Sequence, residues 1–209
     1  MSFSFLHTIS QSRLARQIEF LLEIDKLKAI WRRTYLTDGK RRENTAEHSW
    51  HVALYALVLG ECADDPRVST GRVIKMLLLH DLVEVYAGDT FVYDVQACAD
   101  QPQRENAAAQ LLFDMLPTDQ GLELRALWEE FEAGETADAI FARGLDRIQP
   151  ILQNIASGGR SWRENEITLD QVDGKCDPIR RASAALAEMI ATLLEDAAER
   201  GVLPRSTTI

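Results

Sequence analysis

The sequence predicts an all-α protein built as a single domain, and three observations carry that reading. Apolar residues recur at helical spacing along almost the whole chain. Runs of alternating β-branched and aromatic residues bounded by hairpin turns are missing, and 209 residues suffice for one well-cored domain but hardly for two. The domain is expected over residues 12–200, between an N-terminal tail of residues 1–11 and a C-terminal tail of residues 201–209.

The first helix is expected from Ser12 to about Arg33, where Leu14, Ile18, Leu21, Leu22, Leu27 and Ile30 follow an amphipathic pattern. The basic stretch from Thr37 to Arg42 reads as a loop. Asn44, three residues before Glu47, fits a capping box that starts a helix running to about Cys62 and puts His48 in its first turn.

After the Asp64-Asp65-Pro66 turn, the stretch Arg72 to Tyr86 is apolar on every side, as a buried central helix would be, and Gly88-Asp89 closes it. Further helices are expected at about Gln103–Leu116, Leu122–Phe131 and Thr136–Ile155, followed by a glycine-rich loop, Ser157 to Ser161. The last helix has Asp177 as N-cap, Pro178 at its first position and Gly201 just past its end.

Hydrophobic residues make up 46% of the chain and charged residues 27%, the balance of an ordinary globular protein. No apolar run reaches the ~18 residues of a membrane span, and the N-terminus lacks the features of a signal peptide. A cytoplasmic location with no membrane partner is expected. Cys62, Cys98 and Cys176 show no paired spacing and read as buried or incidental thiols. The net charge of −10 opposes binding to a nucleic-acid polymer, yet it leaves room for a small anionic substrate held by a few local arginines.

The chemistry concentrates on His80, Asp81 and Glu84, which project into one narrow arc if the central helix is regular. Burying one imidazole and two carboxylates costs several kcal/mol unless each finds a partner, and the carboxylates repel each other. A bound cation answers both problems; an internally satisfied hydrogen-bond network is the alternative. His48 is the second available imidazole, and Asp146 is an aspartate among apolar positions of its helix. Pro150 removes the hydrogen bond to the Asp146 carbonyl, so a kink there is expected to turn the carboxylate towards the shared site.

Glu47-His48-Ser49, His80-Asp81-Leu82-Val83-Glu84, Gly88-Asp89 and Leu145-Asp146-Arg147, in that order, resemble the HD-domain phosphohydrolases. The nearest branch is the one containing the bacterial 5′-deoxynucleotidases, and the resemblance covers roughly Leu14 to Gln153. It implies a helical HD-domain fold whose central helix carries the His-Asp pair. It also implies one divalent metal ion (Mn, Co, Zn, Fe, Ni or Mg) ligated by His48, His80, Asp81 and Asp146. Two-metal relatives need further histidines before the final aspartate; none follows His80, so a mononuclear site is expected. His51 is expected as a hydrogen-bonded neighbour on the His48 face, and His7 has no assigned role.

The same resemblance makes Glu84 the group that orients or deprotonates a water or protonates the leaving oxygen. Asp89 becomes a second acidic helper, and Arg32 the phosphate-holding residue at the end of the first helix. An aromatic residue follows that arginine in the bacterial deoxynucleotidases, whereas Arg33 follows here, so selection of a 2′-deoxy sugar is not implied. The implied activity is hydrolysis of small phosphate monoesters, nucleoside 5′-monophosphates foremost, by metal-activated water in a homodimer. A non-catalytic metal- or nucleotide-binding regulator and a structural scaffold are the alternatives; Glu84, Asp89 and Arg32 beside the ligands favour the enzyme.

Overall fold

A computed structural model describes residues 12–206. The expected tail of residues 1–11, with His7, lies outside them. Helix α1 (Arg13–Glu23) starts where the Ser12 hydroxyl accepts the Ala15 N–H at 3.2 Å. It does not continue to Arg33 as the periodicity suggested. A 3₁₀ stretch, Ile24–Ala29, leads into strand β1 (Trp31–Tyr35), which pairs antiparallel with β2 (Arg42–Asn44), Trp31 opposite Asn44 and Tyr35 opposite Arg42. Trp31, Thr34 and Tyr35 suit a pleated surface, and this local preference wins once a partner strand is in reach. Apart from this ribbon, the described residues form helices and connections, and the expected all-α class holds.

Helix α2 (Thr45–Leu59) carries the predicted capping box: Asn44 Oδ1 accepts the Glu47 N–H at 2.9 Å, and Glu47 Oε2 accepts the Asn44 N–H at 3.2 Å. The central helix, by contrast, is broken. Helix α3 (Thr70–Leu79) and the short α4 (Glu84–Ala87) are separated by a turn in which the Leu82 N–H bonds to the Leu79 carbonyl and the Glu84 N–H to that of Asp81. These three-residue closures wind more tightly than an α-helix, so the narrow arc computed for a regular helix does not apply. Nor is α3 buried on every side, since Leu78 is 46% exposed.

Helices α5 (Val95–Ala99), α6 (Gln101–Phe113) and α7 (Thr118–Ala133) precede α8 (Ala137–Ala156), which passes Pro150 as one uninterrupted helix. Helix α8 is the axis of the fold. It packs against α2, α3 and α7, and against α11 (Asp177–Ala182) and α12 (Ala184–Glu199), with Phe141, Leu145 and Ile148 buried. Two short helices, α9 (Arg160–Glu164) and α10 (Leu169–Asp173), complete the described set.

The expected last helix is two helices, because Ser183 is extended and its hydroxyl caps α12 by accepting the Leu186 N–H. The Asp64 carboxylate holds this break by accepting the Ala184 N–H at 2.8 Å. Beyond Gly201 the chain packs onto the body, with Leu203 fully buried and the Pro204 carbonyl accepting the Leu169 N–H.

The apolar interior forms two clusters. Met76 and Leu77 of α3 belong to the one built around α8; Leu82 and Val83 belong to the other, with Phe20, Leu112, Phe113 and Trp128. The His80-Asp81 turn is the seam between them. Among the described residues no helix is long and apolar enough to cross a membrane.

Candidate metal centre

The cap of α2 delivers His48 into the interior, where it is fully buried. Its Nδ1 lies 3.0 Å from Gln149 Oε1, and its Nε2 lies 2.9 Å from Asp146 Oδ1. At the end of α3, His80 Nδ1 lies 2.8 Å from the Leu77 carbonyl, while its Nε2 is buried and has no hydrogen-bond partner among the described residues. An oxygen acceptor at each Nδ1 assigns the ring proton there and leaves the Nε2 lone pairs free. Ligand atoms of His48, His80 and Asp146 lie within 4.8 Å of one another. Asp146 thus points inward as expected, although no break in α8 is needed to aim it.

Asp81, the fourth expected ligand, stands at the edge of this trio. Its Oδ1 is 3.1 Å from His80 Nε2 and its Oδ2 3.7 Å from His48 Nε2. That second oxygen also accepts from Arg32 Nη1 at 2.9 Å. Arg32 therefore reaches the centre, but from strand β1 instead of a helix end, and Asp89 lies 3.6 Å from the same nitrogen. Glu84, displaced by the tight turn, is buried and accepts the Thr45 hydroxyl at 2.8 Å.

Three participants were not singled out in the sequence. Glu43 is a carboxylate 1% exposed, and its Oε1 accepts from the Gln149 and Gln153 amides, each at 2.8 Å. The Gln149 amide nitrogen also lies 3.2 Å from His51 Nδ1, which makes His51 the hydrogen-bonded neighbour that was expected. The available signal was the pair of amides one turn apart on a largely buried helix face.

The electrostatics suit a cation. Burial and the Arg32 charge oppose protonation of His48, yet the Asp146 and Glu43 carboxylates raise its pKa above the usual range. Burial is likewise outweighed at His80, which Asp81 and Asp146 push well upward. The carboxylates demand positive charge at the two Nε2 atoms, and a divalent ion would supply it in place of protons. Two imidazole nitrogens and carboxylate oxygens form a donor set for first-row divalent metals. The orphaned His80 Nε2 is the atom such an ion would satisfy.

The cluster opens into a cavity of about 310 Å³. His80, Asp81, Glu84, Asp89 and Asp146 line it, together with Tyr93, Asn154 and Trp162. All three cysteines are free thiols.

Fold and site together define a helical protein with a buried histidine-carboxylate cluster, suited to a divalent metal, beside an open cavity. The HD domain family matches residues 24–189, and the chain belongs to that family. A human 5′-deoxynucleotidase is 31% identical over 137 residues, 65% of each chain, so the match spans just under two thirds of that relative. A 5′-deoxynucleotidase from Pectobacterium atrosepticum is 30% identical over 155 residues, 70% of this chain and 77% of that one. A solved structure from Magnetospirillum magnetotacticum, described as a predicted metal-dependent phosphohydrolase, is 50% identical. It superposes with a TM-score of 0.88 and covers 92% of this chain and 96% of its own. The expected resemblance to the deoxynucleotidase branch is borne out.

Proposed function

We propose that this HD-family chain is a metal-dependent hydrolase of small phosphate monoesters, with nucleoside 5′-monophosphates as the first substrates. The observation that carries the reading is the unpartnered, buried His80 Nε2, which faces the Asp81 and Asp146 carboxylates. The names of the human and Pectobacterium relatives support the nucleotide class. In this reading His48, His80, Asp81 and Asp146 hold one divalent cation, whose identity among Mn, Co, Zn, Fe, Ni and Mg is left to metal analysis. A homodimer in the cytoplasm belongs to the same reading, and light scattering reads the assembly.

The chemistry supplied by a bound cation is neutralisation of phosphoryl charge and a lowered pKa of water. Asp81 and Asp89 orient the Arg32 guanidinium in the cavity wall, where its remaining donors suit a phosphate oxygen. Burial, with the Asp81 charge adding to it, raises the Glu84 carboxyl well above the usual range. A carboxyl shifted in that direction holds its proton more firmly than an ordinary one, which suits Glu84 to protonate the departing ester oxygen. Burial raises Asp89 as well, against the opposing Arg32 charge, and it serves as the second acidic group. The oxygen of water takes the place of the ester oxygen on phosphorus, which yields an alcohol and inorganic phosphate.

Phosphate release is measured over ribo- and deoxynucleoside monophosphates with Mn²⁺, Co²⁺, Mg²⁺ and Zn²⁺, for wild type, Asp81→Ala and Glu84→Ala. Release by wild type and its loss in both variants is expected. A wild type that releases phosphate from none of them overturns the reading.

A further inference from the structure

Four arginines line the cavity, and two of them differ from the others. Arg32 is held by Asp81 and Asp89, and Arg143 by the Glu132 carboxylate at 3.6 Å and the carbonyls of Phe131 and Glu132. Among the described residues, no carboxylate lies within ion-pair distance of Arg33 or Arg147, and neither guanidinium donates a hydrogen bond. Arg147 Nε is shut off from solvent and has no partner.

This happens in a chain with 33 acidic residues against 23 basic ones. Carboxylates are abundant, so for Arg147, half-buried and with its Nε closed off, the lack of one is an uncompensated cost. A guanidinium stays charged at any physiological pH and cannot escape that cost by losing a proton. The compensating anion must then arrive with what the cavity receives.

The two residues come from different elements. Arg147 follows Asp146 on α8, on the helix side that also presents Pro150, Ile151 and Asn154 to the cavity. Arg33 follows Arg32 on β1, is exposed at the surface and lies over the Phe91 ring at 5.8 Å, with Tyr93 edge-on to Phe91. The Arg147 charge reaches the same Tyr93, whose phenol burial pushes up to about 12 against it. Arg32 and the metal centre account for one phosphate; they leave Arg33 and Arg147 without a task.

We propose that Arg33 and Arg147 form a second anion subsite of this cavity, and that the preferred substrate is a nucleotide carrying a second phosphate besides the one hydrolysed. Two guanidinium forks match the charge and the donor geometry of a phosphate dianion. The proposal rests on the phosphohydrolase reading of the metal centre, and its test separates the two.

Adenosine 5′-monophosphate and adenosine 3′,5′-bisphosphate differ only in the second phosphate. Both are compared in steady-state kinetics and in isothermal titration, with Mn²⁺-loaded wild type, Arg147→Met and Arg33→Met. Wild type is expected to favour the bisphosphate by about tenfold or more in kcat/KM and in affinity, the scale of charge-assisted hydrogen bonds. In each variant that ratio is expected to fall towards one.

Equal treatment of the two nucleotides by wild type overturns the subsite, as does a variant that weakens both alike. Should wild type turn over neither compound, the titration alone decides the subsite, and the phosphohydrolase reading is decided separately by the wider monophosphate screen. Arg33 is exposed, so its variant reads the subsite even if Arg147→Met does not fold.

Discussion

Gln149 and His48 face each other inside the fold, Oε1 to Nδ1 at 3.0 Å, with both side chains closed off from solvent. The other end of the amide is committed to the Glu43 carboxylate, which can only accept, so the Gln149 oxygen must be the atom turned towards His48. That fixes the His48 proton on Nδ1 and keeps Nε2 available beside Asp146.

Gln149→Met removes this restraint with little change in volume. Metal affinity is expected to fall by about 10–100-fold, as for other outer partners of ligating histidines. Loss of one Glu43 donor should cost about 1–3 kcal/mol of stability besides. Titration with Mn²⁺ and thermal unfolding separate the two effects, and unchanged metal affinity would show that His48 is oriented without Gln149.

Metal addition should stabilise the protein by mass action. At a free concentration of hundredfold Kd the gain is about 2.7 kcal/mol. That corresponds to a rise in Tm of roughly 5–11 °C for a chain of this size. Asp146→Ala, which removes the carboxylate shared by His48 and His80, should abolish the rise. A variant that still responds in full would place the binding ion elsewhere.

What was legible in the sequence follows from which interactions are local. The Asn44–Glu47 cap needs only its own four residues, and its signature placed the start of α2 to the residue. His48, His80 and Asp146 stood out because such groups among apolar neighbours require a partner, and the structure gathers them. Strand β1 escaped notice because it exists only through pairing with Arg42–Asn44, while Leu27 and Ile30 continue the helical rhythm through a 3₁₀ stretch. The break after Leu79 was hidden as well. Leu82 and Val83 are as apolar as Met76 and Leu77, and only the assembled fold sends them to a different core. Glu43 follows Lys40, Arg41 and Arg42 and resembles a solvated loop residue until β2 carries it beneath α8.

Glu132, at the cavity wall, gives a pH dependence of known sign. Burial, reinforced by the Glu105 charge and opposed by Arg143, pushes its carboxyl up to about 7. Through the window from the ordinary carboxylate range to about 7, the folded state holds a proton that the unfolded chain has lost. Stability therefore declines as pH rises through that window and levels off above it.

Glu132→Gln fixes the neutral form and should match wild type in Tm at pH 5 and exceed it at pH 8. The side chain is 37% exposed, so solvent screening keeps the expected gain below about 1 kcal/mol. A difference between the two proteins that is the same at both pH values would mean that Glu132 titrates like an ordinary surface carboxylate.

The loop that presents Ser161 and Trp162 to the cavity turns through two adjacent glycines, and the two should respond differently to substitution. Gly158 and Gly159 both have a left-handed backbone, φ +73° and +72°. A Cβ on Gly158 meets nothing within 4 Å, whereas one on Gly159 would lie 2.0 Å from the Val202 carbonyl oxygen. That carbonyl cannot withdraw freely, because Leu203 is fully buried and the Val202 and Leu203 N–H groups both bond to the Ala197 carbonyl. Gly158→Ala should thus cost only the backbone penalty of about 1–2 kcal/mol. Gly159→Ala adds an overpacking cost of about 1–3 kcal/mol to the same penalty. At roughly 2–4 °C of Tm per kcal/mol, thermal unfolding resolves the gap between the variants. Equal losses would show that the C-terminal segment yields to the methyl group and does not pin the loop.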